Sequence, residues 1–166
     1  MKEIPVSELM LNPVTKISDE WMLITAGCEE RGYNTMTASW GYLGSLWGKA
    51  TSCIFIRPQR YTKEFVDREE LYTLSFFPGY MKELGYLGTK SGRDEDKVAK
   101  VGFTPVFGDG YTYFMEANLV FVCRKLYRAP VLEEGFIDKD VIEKCYPQCD
   151  YHDLYVGEIV KVLVAE

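Results

Sequence analysis

The chain has a single histidine, His152. One imidazole rules out a multi-histidine metal centre. Any Ser-His-Asp arrangement would depend wholly on it, and no GxSxG turn accompanies it. Neither a GxGxxG after a strand nor a GxxxxGK[ST] loop occurs, which removes a Rossmann dinucleotide site and a P-loop. There is no CxxC pair. The five cysteines, an odd number in a chain too large to depend on disulfides, read as reduced thiols, and Cys145 and Cys149 lack the second ligand pair of a metal site. No window reaches the ~20 apolar residues that span a bilayer, and MKEIPVSELMLNP has no signal-peptide core. The expectation is a cytoplasmic protein without a membrane partner. Nineteen Lys and Arg against 25 Asp and Glu, a net charge of −6, argue against nucleic acid as the main partner.

What is present fits one globular domain over residues 1–166, with 47% hydrophobic and 27% charged residues. Aromatics make up 14% of the chain, including 12 tyrosines. So many half-polar rings suit either a subunit interface or a flat ligand. Trp40 and Trp47 read as core or interface residues.

The most informative stretch is Asn34–Thr62. Thr35, Thr37 and Ser39 alternate with Met36, Ala38 and Trp40, the period-2 pattern of a strand with one hydroxyl-bearing face. YLGSLWGK reads as a Gly-rich connection, and Thr51–Ile56 as an apolar strand, carrying Ser52 and Cys53, that stops at Arg57-Pro58. Arg60, Tyr61 and Thr62 then precede a helix near Lys63–Glu70, with Thr62 a candidate N-cap. A strand end, two arginines, a hydroxyl and a helix N-terminus together suit an anion such as phosphate. The same residues also suit a plain strand–turn–helix with solvated arginines. A second loop, Ser91-Gly92-Arg93-Asp94-Glu95-Asp96-Lys97, allows close backbone approach at glycine and offers Ser91 or Asp94 as a helix cap. Lys97 falls in a helix's first turn, where the macrodipole disfavours a cation, so an acidic partner is expected for it.

Elsewhere the patterns predict strands over Val14–Ile17, Trp21–Gly27, Leu71–Phe77, Met115–Arg124 and Leu154–Val164. Helical segments are predicted over Tyr80–Leu87, Asp94–Val101 and Ile137–Lys144, with one helical turn at Glu8–Leu11. Strands so close in sequence favour an antiparallel barrel or meander.

Three blocks, NTMTASW followed by RPQRYT, GTKSGRDEDK from Gly88, and HDLYVGEIVKV from His152, resemble the flavin reductase-like family of FMN-binding split barrels and its flavoredoxin-type members. The resemblance spans nearly the whole chain. It implies an antiparallel, Greek-key split β-barrel with peripheral helices, forming a homodimer with FMN, or alternatively FAD, at the interface. It implies ring contacts along Thr35, Met36, Thr37, Ala38 and Ser39, with Ser52 and Cys53 on the adjacent strand. Phosphate and ribityl contacts are implied at Arg57, Arg60, Tyr61, Thr62, Ser91, Arg93 and Lys97. In some such reductases a histidine at the start of the last strand lies near the nicotinamide. There the pattern is Gly-Asp-His, whereas here it is Asp150-Tyr151-His152, so His152 reads either as that catalytic group or as a surface residue. The implied activity is flavin-dependent electron transfer, with NAD(P)H as a transient co-substrate or a redox protein as partner. A non-catalytic flavin or tetrapyrrole carrier, and a cofactor-free interaction barrel, are the other readings; Arg57 paired to a protein carboxylate would favour the last.

Overall fold

A computed structural model describes residues 1–166. The chain runs β1 (Lys2–Ile4), α1 (Pro13–Ser18), β2 (Met22–Cys28), β3 (Gly32–Ala38), β4 (Gly41–Leu46), β5 (Lys49–Ile56), α2 (Tyr61–Arg68), β6 (Leu71–Phe76), α3 (Met81–Thr89), α4 (Lys97–Val101), β7 (Pro105–Phe107), β8 (Thr112–Phe114), β9 (Leu119–Pro130), α5 (Asp140–Cys145) and β10 (Asp153–Val164). Eight strands form one sheet in the order β3-β2-β6-β9-β10-β5-β4, with β1 added on β10; β7 and β8 form a separate hairpin. Every pairing is antiparallel. No helix is long and apolar enough to cross a membrane.

This order forces the sheet to curl. β3 and β4 stand at its two ends, yet only Ser39 and Trp40 separate them in sequence. Successive Cα atoms lie about 3.8 Å apart, so this link holds the two edges within roughly 11 Å of each other. They come together without pairing, which leaves a barrel split along one seam. β10 closes the other side, pairing with β5, β9 and β1 and shifting register at Val156/Gly157 and Ile159/Lys161; such bulges bend a long strand around a barrel.

Two apolar cores result. One fills the barrel with Ile24, Ile54, Tyr72, Phe76, Phe121 and Tyr155 among others. The second lies between the outer sheet face and the α3–α4 layer, joining Leu23 and Val120 to Leu84, Leu87, Val98, Phe103 and Phe114.

Several boundaries differ from those the sequence suggests. Val14–Ile17 is helical, because Asn12 caps the amides of Val14 at 3.0 Å and Thr15 at 3.5 Å while Pro13 takes the first helical position. The Gly-rich YLGSL is itself strand β4, and the turn is only Trp47-Gly48, both at positive φ (54° and 70°) as a type I′ hairpin demands. Gly41 has no room for a side chain: a Cβ there would meet the Cys53 carbonyl at 2.9 Å. The strand expected from Met115 begins at Leu119 and runs on to Pro130, and the β7–β8 hairpin and β1 are additions. α2 starts at Tyr61 with Arg60 as its unassisted N-cap, so Thr62 lies inside the helix.

Inside the barrel, Tyr72 is fully buried and its hydroxyl lies 2.7 Å from Ser52 Oγ, which in turn donates to Cys123 Sγ at 3.3 Å. Burial pushes the Cys123 thiol up to about 12. The Tyr72 ring occupies the space a side chain at Gly157 would need. Gly157→Ala is therefore expected to overpack the barrel and lower stability by about 1–3 kcal/mol, read as a reduced urea midpoint. An unchanged midpoint would mean that Tyr72 has room to move.

Candidate functional site

The seam between β3 and β4 opens into a narrow cleft of about 170 Å³, walled by Met36, Thr37, Ala38, Ser39, Trp40, Phe55, Arg57, Arg60 and His152. Met36 and Arg60 also wall a polar cleft of about 290 Å³ formed with Asn34, Thr62, Ser91, Gly92, Lys97 and neighbouring residues. The two make one elongated groove with a flat, ring-lined end and a cationic end.

At the cationic end the last turn of α3 is decisive. Arg60 Nη1 donates to Gly88 O at 2.8 Å. Lys97 Nζ donates to Leu87 O at 2.7 Å and Lys90 O at 3.0 Å. The final carbonyls of a helix have no intrahelical partner and carry its negative pole, so they hold two cations without neutralising either one. No carboxylate lines this end, and neither Arg60 nor Lys97 forms a salt bridge. The acidic partner expected for Lys97 is thus replaced by carbonyls from a helix ten residues upstream. Burial, with Arg60 close by, pushes the Lys97 amine down to about 8.

The floor is ordered to match. Asn34 Nδ2 donates to Thr62 Oγ1 at 2.9 Å, and the Asn34 side-chain oxygen sits where a side chain on residue 92 would lie, so a larger residue there would displace Asn34. α2 begins at this point with no side chain capping its first amides. Thr37 Oγ1 donates to Leu84 O at 2.6 Å and pins α3 to β3.

At the flat end His152 is buried rather than on the surface. Its Nδ1 lies 2.9 Å from the Tyr146 hydroxyl, and its ring centroid is 5.3 Å from that of Trp40 and 6.4 Å from that of Phe55. Burial foremost, then Arg57 and Arg60 nearby, push its imidazole down to about 4. It is therefore neutral at pH 7, a polar contact rather than a ready proton donor.

Other expected positions separate from the groove. Arg57 lies on the flat end's wall, but its guanidinium is ion-paired with Asp150, donates to Cys145 O at 2.8 Å and lies over the Tyr146 ring at 5.2 Å. It shares the flat cleft with Arg60, but its charge is already matched by Asp150. Its partner stands 93 positions along the chain, too far for a local pattern to reveal. Thr35 is fully buried, sharing its hydroxyl with Thr25 at 2.8 Å and Ile24 O at 3.2 Å. Ser52 points into the barrel, and Cys53, its thiol pKa raised by burial, walls neither cleft. Arg93 is ion-paired with Glu64 and stacks on Tyr61 at 4.5 Å outside the groove. Met36, Thr37, Ala38, Ser39, Arg57, Arg60, Tyr61, Thr62, Ser91, Lys97 and His152 do line it. Asn34, Trp40 and Phe55 are additions, with Tyr146 behind them on His152. Asn34 opens the NTMTASW block, so its position was a signal; the contacts of Phe55 and Tyr146 arise only in the fold. No three His, Cys, Asp or Glu side chains gather as a metal site.

An antiparallel split barrel with a groove at its seam, cationic at one end, defines a recognisable class. The flavin reductase like domain matches residues 15–166, and the chain belongs to that family. No curated protein matches the sequence. Among solved structures it is similar to the flavoredoxin of Desulfovibrio vulgaris (Miyazaki F), at 21% identity and a TM-score of 0.69 over 100% of this chain and 78% of that one. It is also similar to an FMN-binding domain of a flavin reductases-like enzyme from Shewanella baltica OS155, at 11% identity, TM-score 0.66, and 97% and 75% coverage. A third is the styrene monooxygenase flavin reductase of Pseudomonas putida S12, at 14% identity, TM-score 0.64, and 89% and 80% coverage. At these identities the likeness is one of fold.

The imidazole gives a direct test of the site's electrostatics. In the unfolded chain His152 takes up a proton near pH 6.5, whereas in the fold it does so only near 4. Since the unfolded state binds more protons between these values, stability is full above about 6.5 and falls as pH drops toward 4. Urea midpoints of the wild type should therefore fall more steeply over that window than those of His152→Asn. Parallel profiles would show that His152 titrates normally.

Proposed function

We propose that the chain binds FMN in this groove and serves as a flavin reductase-like electron-transfer protein. The observation that carries the reading is the pair Arg60 and Lys97: two buried or half-buried cations without a carboxylate, at the start of a helix and beside a flat cleft, in a chain whose net charge is −6. An unneutralised buried cation is costly, and a phosphate dianion would offset that cost.

On this reading the phosphate lies with Arg60, Lys97, Ser91, Thr62 and the first amides of α2. The ring lies along Met36–Ser39 with Trp40, Phe55 and His152 at its end. FMN, when bound, supplies transfer of electrons between a donor and an acceptor. The chain's own part is to fix the phosphate, to present a neutral imidazole held by Tyr146, and to keep water from the flat end with Trp40 and Phe55. NAD(P)H is the donor we infer, as a visitor rather than a resident, because no dinucleotide fingerprint is present; a redox protein is the other donor the family implies. Family membership supports a homodimer, as does the exposed apolar patch of Leu46, Trp47 and Tyr127, with the last two rings 6.2 Å apart. The cofactor-free interaction barrel gains from the Arg57–Asp150 pair but leaves Arg60 and Lys97 unexplained.

Titration of the flavin-free protein with FMN should show saturable binding. Lys97→Met is expected to weaken it by on the order of 1.5–3 kcal/mol, the scale of a charge-assisted hydrogen bond. Because a bound dianion would raise the Lys97 pKa above its value of about 8 in the free protein, binding takes up a proton above that pH. Wild-type affinity should thus fall as pH rises past 8, and the Lys97→Met profile should be flatter. Equal affinity in both proteins would remove Lys97 from the phosphate site.

A further inference from the structure

Past Ser39, Trp40 and Phe55, which the two spaces share, the flat end of the groove opens into a larger hollow of about 610 Å³. Its remaining walls come from α1 through Ile17, from β4 through Tyr42, and from the α5 region through Val141 and Tyr146. Nine of its 13 lining residues are hydrophobic, and none is charged. The nearest cations, Arg57 and Arg60, wall the adjoining flat end rather than the hollow, and Arg57 is already ion-paired with Asp150. An anionic occupant would give up hydration here and find no counter-charge, whereas the rings of Trp40, Tyr42, Phe55 and Tyr146 reward a flat apolar one. The volume lies within the roughly 300–1,000 Å³ of small-molecule sites. The roof is also fastened down: Arg57, the residue after β5, donates to Cys145 O at 2.8 Å and lies over the Tyr146 ring, tying the end of α5 to the end of that strand.

We propose that this hollow is a binding chamber for a small, neutral, aromatic molecule, which would adjoin whatever occupies the flat end of the groove. This names the ligand class for the flavin reading above and rests on it.

The test uses FMN-loaded full-length protein, with 2-naphthol as the neutral probe and 2-naphthalenesulfonate as its anionic counterpart. Calorimetry should show 2-naphthol binding at least about tenfold tighter than the sulfonate. Val141→Trp, on a short helix at the surface, should keep FMN binding and lose 2-naphthol affinity by about tenfold or more. Val14→Asp, on the opposite wall and 71% exposed, should weaken 2-naphthol likewise without unfolding the chain. Equal binding of the two probes, or wild-type affinity in both variants, would overturn the assignment. So would an absence of 2-naphthol binding together with a Val141→Trp protein that turns from dimer to monomer, since a second copy would then be the occupant. If FMN fails to bind at all, tryptophan fluorescence of the unloaded protein reads 2-naphthol alone. Binding that Val141→Trp abolishes would then keep the chamber's ligand class while sinking the flavin reading.

Discussion

The last turn of α3 is the point on which the site depends. Its terminal carbonyls at Leu87, Gly88 and Lys90 draw in Lys97 and Arg60, and because they are dipoles rather than charges they position both cations without cancelling them. A carboxylate in the same place would have given a stable ion pair and no anion site. α3 must therefore be rigid, and the second core makes it so: Leu84 and Leu87 are fully buried beneath it, and Thr37 bonds the Leu84 carbonyl from β3. Sheet packing, helix position and the electrostatics of the groove are one chain of cause.

The other half of the site follows from topology. β3 and β4 stand at opposite ends of the sheet, joined by Ser39-Trp40, and they do not pair, which leaves an open seam. Trp40, Phe55 and His152 line its mouth with rings, and burial keeps His152 neutral there. The groove thus has a cationic end and a ring-lined end, which is the polarity of a molecule with a phosphate at one end and a planar ring at the other.

Much of this is legible along the chain. Alternation over Thr35–Trp40, the stop at Arg57-Pro58 and the hydroxyl-rich entry to α2 locate the strand, the turn and the helix that build the groove. What the sequence does not reveal is which way each side chain points when both faces of a strand are covered. Thr35 and Ser52 fit a ligand-facing pattern but turn inward, because hydroxyl partners on neighbouring strands, Thr25 and Tyr72, satisfy them there. Partner choice across long loops is equally hidden: Arg57 meets Asp150 only once β10 lies beside β5. The short segment Val14–Ile17, with β-branched Val14, Thr15 and Ile17, suits strand and helix alike, and the cap at Asn12 decides it.

The central claim is that the groove's cationic end exists to hold a phosphate. Parallel calorimetric titrations of the flavin-free protein with FMN and with riboflavin, which differ only by that phosphate, test it most directly. The account predicts FMN binding tighter than riboflavin by at least about tenfold to a hundredfold, the worth of one charge-assisted hydrogen bond. Equal affinities, or no binding of either, would contradict it.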